Sequence, residues 1–440
     1  MKSDNAARWR LGSLMAMVAL LVVAGAAPAS AAPAATGGLY VPKPNHGARQ
    51  QIEALTAQGD LAGAAAIQAM IDTPQAVWFT QGTPSSVRQD VRHVVKKAEA
   101  KGTTPVLVAY NIPFRDCAQF SAGGATNAAE YEAWIDGFAS GIGNRPAIVI
   151  LEPDGLGIIP WYDPYGSADG SNTLEWCQPA EADPATAASD RFAMMNHAVG
   201  VLGALPNVTT YLDGTHSAWL GNGDIAQRLV QAGVAGADGF YLNVSNYQFT
   251  PNLVQYGRWI SSCVTYATEI VPGDYVNCPN QYWNGGPHPA KIADLLGEWT
   301  GVALSSLGVW SDDSDDPTLN TSGINLRYEN MLGGMAPDTH YVIDTSRNAN
   351  GPWRPPAYPD PQDWCNPPGR GTGLAPALAP GEPLVDAYLW VKIPGESDGE
   401  CTRGLGPAGE TVDPEWARID PGAGDWFPEA ALELATNASP

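Results

Sequence analysis

Positive charge is scarce in this sequence: 440 residues carry 23 Lys and Arg against 46 Asp and Glu, for a formal net charge of −23. Such a chain repels phosphate backbones and anionic lipid, which argues against nucleic acid and membrane partners and leaves a neutral or cationic substrate. Long apolar runs are also few. The run from about Leu11 to Ala24 is too short to anchor in a bilayer. Lys2, Arg8 and Arg10 precede it and Ala29-Ser30-Ala31 follows, the layout of a signal peptide over residues 1–31. One exported domain over 32–440 is therefore expected, since no Ser/Thr-rich linker separates a second module.

Cysteine is limited to six residues, without CxxC or a Cys/His cluster, so no metal site is expected. Export makes disulfides the natural fate of all six, and fifteen pairings are open. Cys263 and Cys278 are near enough to staple one loop; Cys117 is taken with Cys177 and Cys365 with Cys401. Other signatures are missing too. There is no HExxH, no GxGxxG after a strand, no GxxxxGK[ST], and no Ser-His-Asp order around a GxSxG elbow. Zinc proteolysis, nucleotide chemistry and acyl transfer lose their usual marks.

What is present is 44% hydrophobic residues, enough for a large core, with 15 Trp and 16 Tyr among only 16% charged residues. Strand-like runs appear at Gln75–Phe79, Pro105–Tyr110, Ala147–Leu151, Val208–Asp213, Gly239–Asn243, Tyr341–Asp344 and Tyr388–Lys392. Helical spacing lies between them, as in Tyr131, Trp134, Ile135, Phe138 and Ile142, and in Phe192, Met195, Val199 and Leu202. Alternation of this kind predicts an α/β fold with a parallel sheet closed, or nearly closed, into a barrel. Three connections are long for βα loops: Gly155 to about Ser189, Cys263 to about Asp338, and Gly399 to about Trp426. The acidic run Asp312, Asp313, Asp315, Asp316 lacks the Gly and Glu placement of a calcium loop and reads as solvated.

Asp residues recur where strands end: Asp116 after PVLVAYNIPFR, Asp154 after AIVILEP, Asp213 in VTTYLDGTHSAW and Asp398 in AYLWVKIPGESDG. Carboxylates gathered on one barrel face repel, so at least one should keep its proton, the condition for a general acid. A protonated carboxyl beside an ionised one is what glycosidic hydrolysis needs. Around them stand Tyr110, Arg115, His216, Trp219, Asn246, Trp364, Lys392 and Glu396, a mixture suited to stacking on sugar rings and holding hydroxyls.

The stretches VAYNIPFRDCAQFSAGG, IVILEPDGLG, YLDGTHSAWLG, NVSNY, DTSRNANGPW, DWCNPPGRGTG and WVKIPGESDGEC resemble glycoside hydrolase family 6, the cellobiohydrolase II and endoglucanase family acting on β-1,4-glucan. The resemblance runs in order from about Ile71 to Trp426 and implies a distorted seven-stranded parallel barrel with long active-site loops. It implies Asp154 as proton donor and Asp116 as the neighbour that keeps that proton in place. Tyr110 would distort the sugar, while Arg115 and Asp213 would hold the charge network. Asp398 is implied as the base, directly or through a water relay that includes Ser121. His216, Trp219, Asn246, Trp364, Lys392 and Glu396 would line sugar sites, with Trp78 and Arg347. The sequence DGTHSAW departs from the Asp-Ala-Gly-His expected beside Asp213.

Inversion without metal or cofactor follows from the resemblance, with carboxyl groups roughly 6.5–9.5 Å apart. The long C-terminal connection, set against the Cys117–Gly124 loop, suggests a roofed tunnel releasing cellobiose from non-reducing ends. An open-cleft endoglucanase is the alternative, and a non-catalytic glucan binder a remote one. The partner is a β-1,4-glucan chain, met by a secreted monomer.

Overall fold

The computed structural model describes residues 38–164, 175–287 and 301–439. The signal peptide expected over 1–31 lies outside them.

Seven parallel strands run in chain order: β1 (Val77–Phe79), β2 (Val106–Ala109), β3 (Ala147–Leu151), β4 (Val208–Asp213), β5 (Gly239–Leu242), β6 (His340–Asp344) and β8 (Val385–Leu389). The two-residue β7 (Ala377–Leu378) is antiparallel to β8, so the sheet has eight strands. The expected barrel-like curl of a parallel sheet is present, without a complete ladder; the differences are the eighth strand and the start of the last parallel strand at Val385, so that it overlaps the expected Tyr388–Lys392 only at Tyr388 and Leu389. Since β7 occupies the β8 edge at Ala387 and Tyr388, β1 meets this chain only beyond it, where the Ala76 amide donates to the Trp390 carbonyl (2.9 Å).

The strands are mostly apolar because both faces are covered, with Thr209 and Thr210 of β4 the buried polar residues in mid-strand. Val106, Val108, Ile148, Ile150, Tyr211, Tyr241, Val342 and Leu389 fill the barrel interior. The alternate residues Leu107, Val149, Leu151, Leu212 and Phe240 pack outward beneath the helices. The period of two thus feeds two cores from one run of sequence. After α1 (His46–Gln58) and α2 (Leu61–Asp72), helix α3 (Pro84–Ala100) begins with a capping box of Thr83 and Ser86. Helix α4 (Ala128–Ile142) packs tightly on it because Gly137 leaves room: a Cβ there would lie 2.3 Å from the Pro84 carbonyl oxygen.

Helix α5 (Ala187–Gly203) carries the predicted Met195, Val199 and Leu202 face. Helices α6 (Asn222–Gln231) and α7 (Thr250–Thr265) continue the outer layer. The segment from Cys263 to Asp338 is not one loop, since it opens inside α7 and contains another helix, Ser322–Leu332. All three disulfides have the expected pairing: Cys117–Cys177, Cys263–Cys278 and Cys365–Cys401.

Candidate active site

The C-terminal ends of the strands surround one cavity of about 710 Å³. Its walls hold Asp154, Asp116 and Asp398 together with Tyr110, Arg115 and Ser121. Trp78, His216, Trp219 and Asn246 form a second part of the lining, and Trp364, Lys392 and Glu396 a third. The two remaining predicted residues, Asp213 and Arg347, are buried behind the wall and act on those that reach it.

The backbone that presents the carboxyls is unusual. Asp154 (φ 62°), Glu152 (φ 51°) and Asp116 (φ 54°) all adopt left-handed conformations that a side chain disfavours, and Thr215, Asn243 and Ser245 do so at neighbouring strand exits. Such residues cost of order 1–3 kcal/mol each and persist where their surroundings over-determine them. Here the surroundings are buried side chains. Asp213 accepts the amides of Leu156 (3.1 Å), Gly157 (2.9 Å) and Thr215 (2.8 Å), which pins the turn just after Asp154 to the end of β4. The departure at DGTHSAW leaves this role intact.

Burial, then the charges of Asp213 and Asp116, push the Asp154 carboxyl well above the ordinary Asp range. Asp213 itself is raised to about 6 by burial, against the pull of its three amides. Asp116 is raised by burial and drawn back by the Ser121 amide, which donates to it at 2.7 Å. All three acids are thus raised, and Asp154, which feels the charges of the other two, is the one placed to keep its proton.

Asp398 is the opposite case. Arg347 Nη1 lies 2.9 Å from both of its oxygens and Lys392 Nζ 3.4 Å from one, and these cations hold its pKa below the usual range although it is buried. The Tyr247 hydroxyl (3.1 Å) and the Asn366 amide (3.0 Å) donate to it as well. A carboxylate with so many donors is firmly ionised and correspondingly weak as a direct base, so transfer through water suits it better. Lys392 pairs with Asp398 and donates to the Ser397 carbonyl, whereas Glu396 accepts from Asn45.

Arg115 has a structural task. Its guanidinium donates to the carbonyls of Thr80, Tyr110, Ser121 and Ala122 and stacks on the Tyr110 ring, so it shapes the SAGG loop over Asp116. His216 is held neutral, lowered by burial to about 3, and packs beside Trp219. Residues 395–399 do spell GxSxG, but Ser397 is buried and its Oγ donates to the Pro421 carbonyl (2.8 Å), so it is no nucleophile.

Two residues that sequence reasoning passed over organise the site. Glu152, inside the EPDG turn, accepts the amides of Asn111 (2.8 Å) and Ile112 (3.0 Å) and is raised to about 7 by burial. Arg191 on α5 donates to Gly155 O (2.7 Å), Ile158 O (2.8 Å) and Pro113 O (2.8 Å), clamping the Asp154 loop to the segment that leads into Asp116. Glu152 was legible from its place in the motif; Arg191 had no local signal.

A metal finds no vacant donor set among the described residues. The Cys401, Asp413 and Asp420 cluster has the right spacing, but Cys401 is in a disulfide and Asp413 pairs with Arg403. Asp420 instead is raised to about 7 by burial and by Asp413, and accepts from Asn366. The folded chain therefore holds a proton there that the unfolded chain releases between about pH 4 and 7, so stability falls as pH rises through that window. Thermal melts across it should show the fall, and Asp420→Asn should flatten it.

The family model "Glycosyl hydrolases family 6" matches residues 35–438. Endoglucanase A of Thermobispora bispora is 32% identical over 369 residues, 83% of this chain and 56% of that protein, so the chain spans little more than half of its relative. Among solved structures, the endoglucanase Cel6 of Mycobacterium tuberculosis, in complex with methyl-cellobiosyl-4-deoxy-4-thio-beta-D-cellobioside, is 29% identical with a TM-score of 0.58, covering 91% of this chain and 97% of that one. The catalytic core of the cellobiohydrolase Cel6A from Chaetomium thermophilum, at 22% identity and a TM-score of 0.57, shares the fold over 92% of this chain and 97% of its own.

Proposed function

The chain belongs to glycosyl hydrolases family 6, and we propose that it hydrolyses β-1,4-glucosidic bonds of glucan with inversion at the anomeric carbon. The observation that carries this reading is a pair of carboxyls in one cleft with opposite tendencies, Asp154 pushed up and Asp398 pulled down. Environments that separate two acids in this way assign the proton donor and the ionised partner. Asp154 gives its proton to the glycosidic oxygen as the bond to the anomeric carbon breaks. Water bonds to that carbon from the other face, and its proton passes toward Asp398, by way of further water and Ser121 beside Asp116. Tyr110 limits the space for the ring at the cleavage point, and the indoles of Trp78, Trp219 and Trp364 stack on the sugars to either side.

The loops support exo action. Phe120 packs against Gly399, where a Cβ would come within 2.6 Å of its side chain, and its ring lies 5.8 Å from Trp364. The Cys117–Gly124 loop therefore packs on the start of the C-terminal connection, a contact that supports a roof over a threaded chain. Cellobiose release from non-reducing ends is the resulting proposal, by a secreted monomer whose three disulfides suit an oxidising compartment. The endoglucanase relatives favour a second reading, internal cleavage in an open cleft.

Cellohexaose labelled at the reducing end separates the two. Exo action gives unlabelled cellobiose first, with the α-anomer appearing at the new reducing end by NMR; random labelled fragments would support the endo reading. Phe120→Ala should weaken the roof and increase viscosity loss per reducing end formed on soluble glucan. An unchanged ratio would remove the roof from the account.

A further inference from the structure

Trp176 is 53% exposed, yet it lines the catalytic cleft. Its backbone is fixed. The Glu175 amide donates to Tyr162 O (2.8 Å) and the Trp161 amide to Cys177 O (3.0 Å), which lays residues 175–177 along 161–162. Each flank is then tied to a loop that carries a candidate catalytic carboxyl. The Glu175 carboxylate pairs with Arg228, whose Nη1 also holds Leu156 O (2.8 Å) and Gly157 O (3.3 Å), just past Asp154. Cys177 is bonded to Cys117, next to Asp116.

The indole is thus held in register with the reacting centre while its face is left to solvent. Packing does not account for that, because a Trp that serves the core is buried. A flat aromatic surface fixed in advance loses little freedom when a ring stacks on it, which makes it suited to binding. Trp219 packs on the same Gly157, where an added Cβ would lie 2.6 Å from its ring. The turn that follows Asp154 therefore carries Trp219 directly and braces the residue before Trp176 through Arg228.

Resting on the glucan reading above, we infer that Trp176 is an additional stacking subsite at the rim of the cleft. It takes a glucosyl unit of a β-1,4-glucan chain that continues past Trp219, so longer chains gain affinity from it and short ones do not.

The test is calorimetric titration of the Asp154→Asn protein, which retains substrate uncut, with cello-oligosaccharides from cellotriose to cellohexaose, set against Asp154→Asn/Trp176→Ala. The loss should grow with chain length and reach about tenfold in Kd for the longest, the scale of one aromatic stacking contact. Trp176→Phe in the same background should restore most of it. Trp283→Ala, which removes an equally exposed indole (55%) that is not part of the cleft lining, should bind like the parent at every length. Equal losses at all lengths for Trp176→Ala, or none, would overturn the subsite. Absence of binding by the parent at every length would instead overturn the glucan reading, and the subsite with it.

Discussion

Asp154→Asn should lower kcat on cello-oligosaccharides by about 10²–10⁴-fold, the usual contribution of a positioned general acid, while substrate affinity changes little. The amide keeps the shape of the turn, which is set by Asp213 on Leu156 and Gly157 rather than by the Asp154 side chain. What is lost is the proton. In the wild type that proton is retained because burial, Asp213 and Asp116 all disfavour the anion, so activity should persist into neutral solution and fall only as pH rises past the raised pKa. On the acid side Asp398 stays ionised below the ordinary carboxylate range, so that limb lies at unusually low pH. Asp213→Asn removes one of the like charges and should shift the alkaline limb of kcat/KM to lower pH. A rate for Asp154→Asn within a fewfold of wild type would remove it from the acid role.

Arg191→Met should cost about 3–5 kcal/mol of stability, the range for stripping a buried charge from its partners, and should lower kcat about a hundredfold through misplacement of the two loops. The side chain is 1% exposed, and its three carbonyl bonds join the turn after Asp154 to the segment that leads into Asp116, beside the tie that Glu152 makes to Asn111 and Ile112. Removing it leaves the Gly155, Ile158 and Pro113 carbonyls without this donor and takes away a charge that buried Glu152 acts on, with Arg115 the cation that remains near Glu152. Arg191→Lys keeps the charge but not the fork, so it should recover part of the stability and little of the rate. Urea unfolding and steady-state kinetics on the three proteins check this. An unchanged urea midpoint for Arg191→Met would show that the clamp contributes nothing.

The strands were legible because parallel strands covered on both faces read as near-continuous apolar runs: AIVIL is one without interruption, and VTTYLD combines β-branched and aromatic residues that suit a strand. The last strand reads as running past its ladder because AYLWVK stays largely apolar after pairing ends at Leu389: Trp390 and Val391 turn to the hydrogen bonds with Ala76 and Trp78. Two residues of β7 among Pro and Gly give no periodic signal at all. Carboxyls at strand exits were visible as motifs, and the cavity gathers three of the four. Arg191 was not, since an Arg on a helix reads as a solvated face, and its partners lie 33 to 78 residues away in sequence. Arg347 shows the same limit in milder form: its sequence neighbours mark a site, but only the fold reveals that it serves Asp398 instead of the cleft wall.

The protonation of Asp154 can be observed directly. A carboxyl titration followed by ¹³C NMR on aspartate-labelled protein, with Asp154→Asn to assign the signal, should show one resonance that titrates well above the ordinary Asp value of about 3.9 and disappears in the variant, beside an Asp398 signal that titrates below it. An Asp154 carboxyl that ionises at or below that ordinary value would contradict the account.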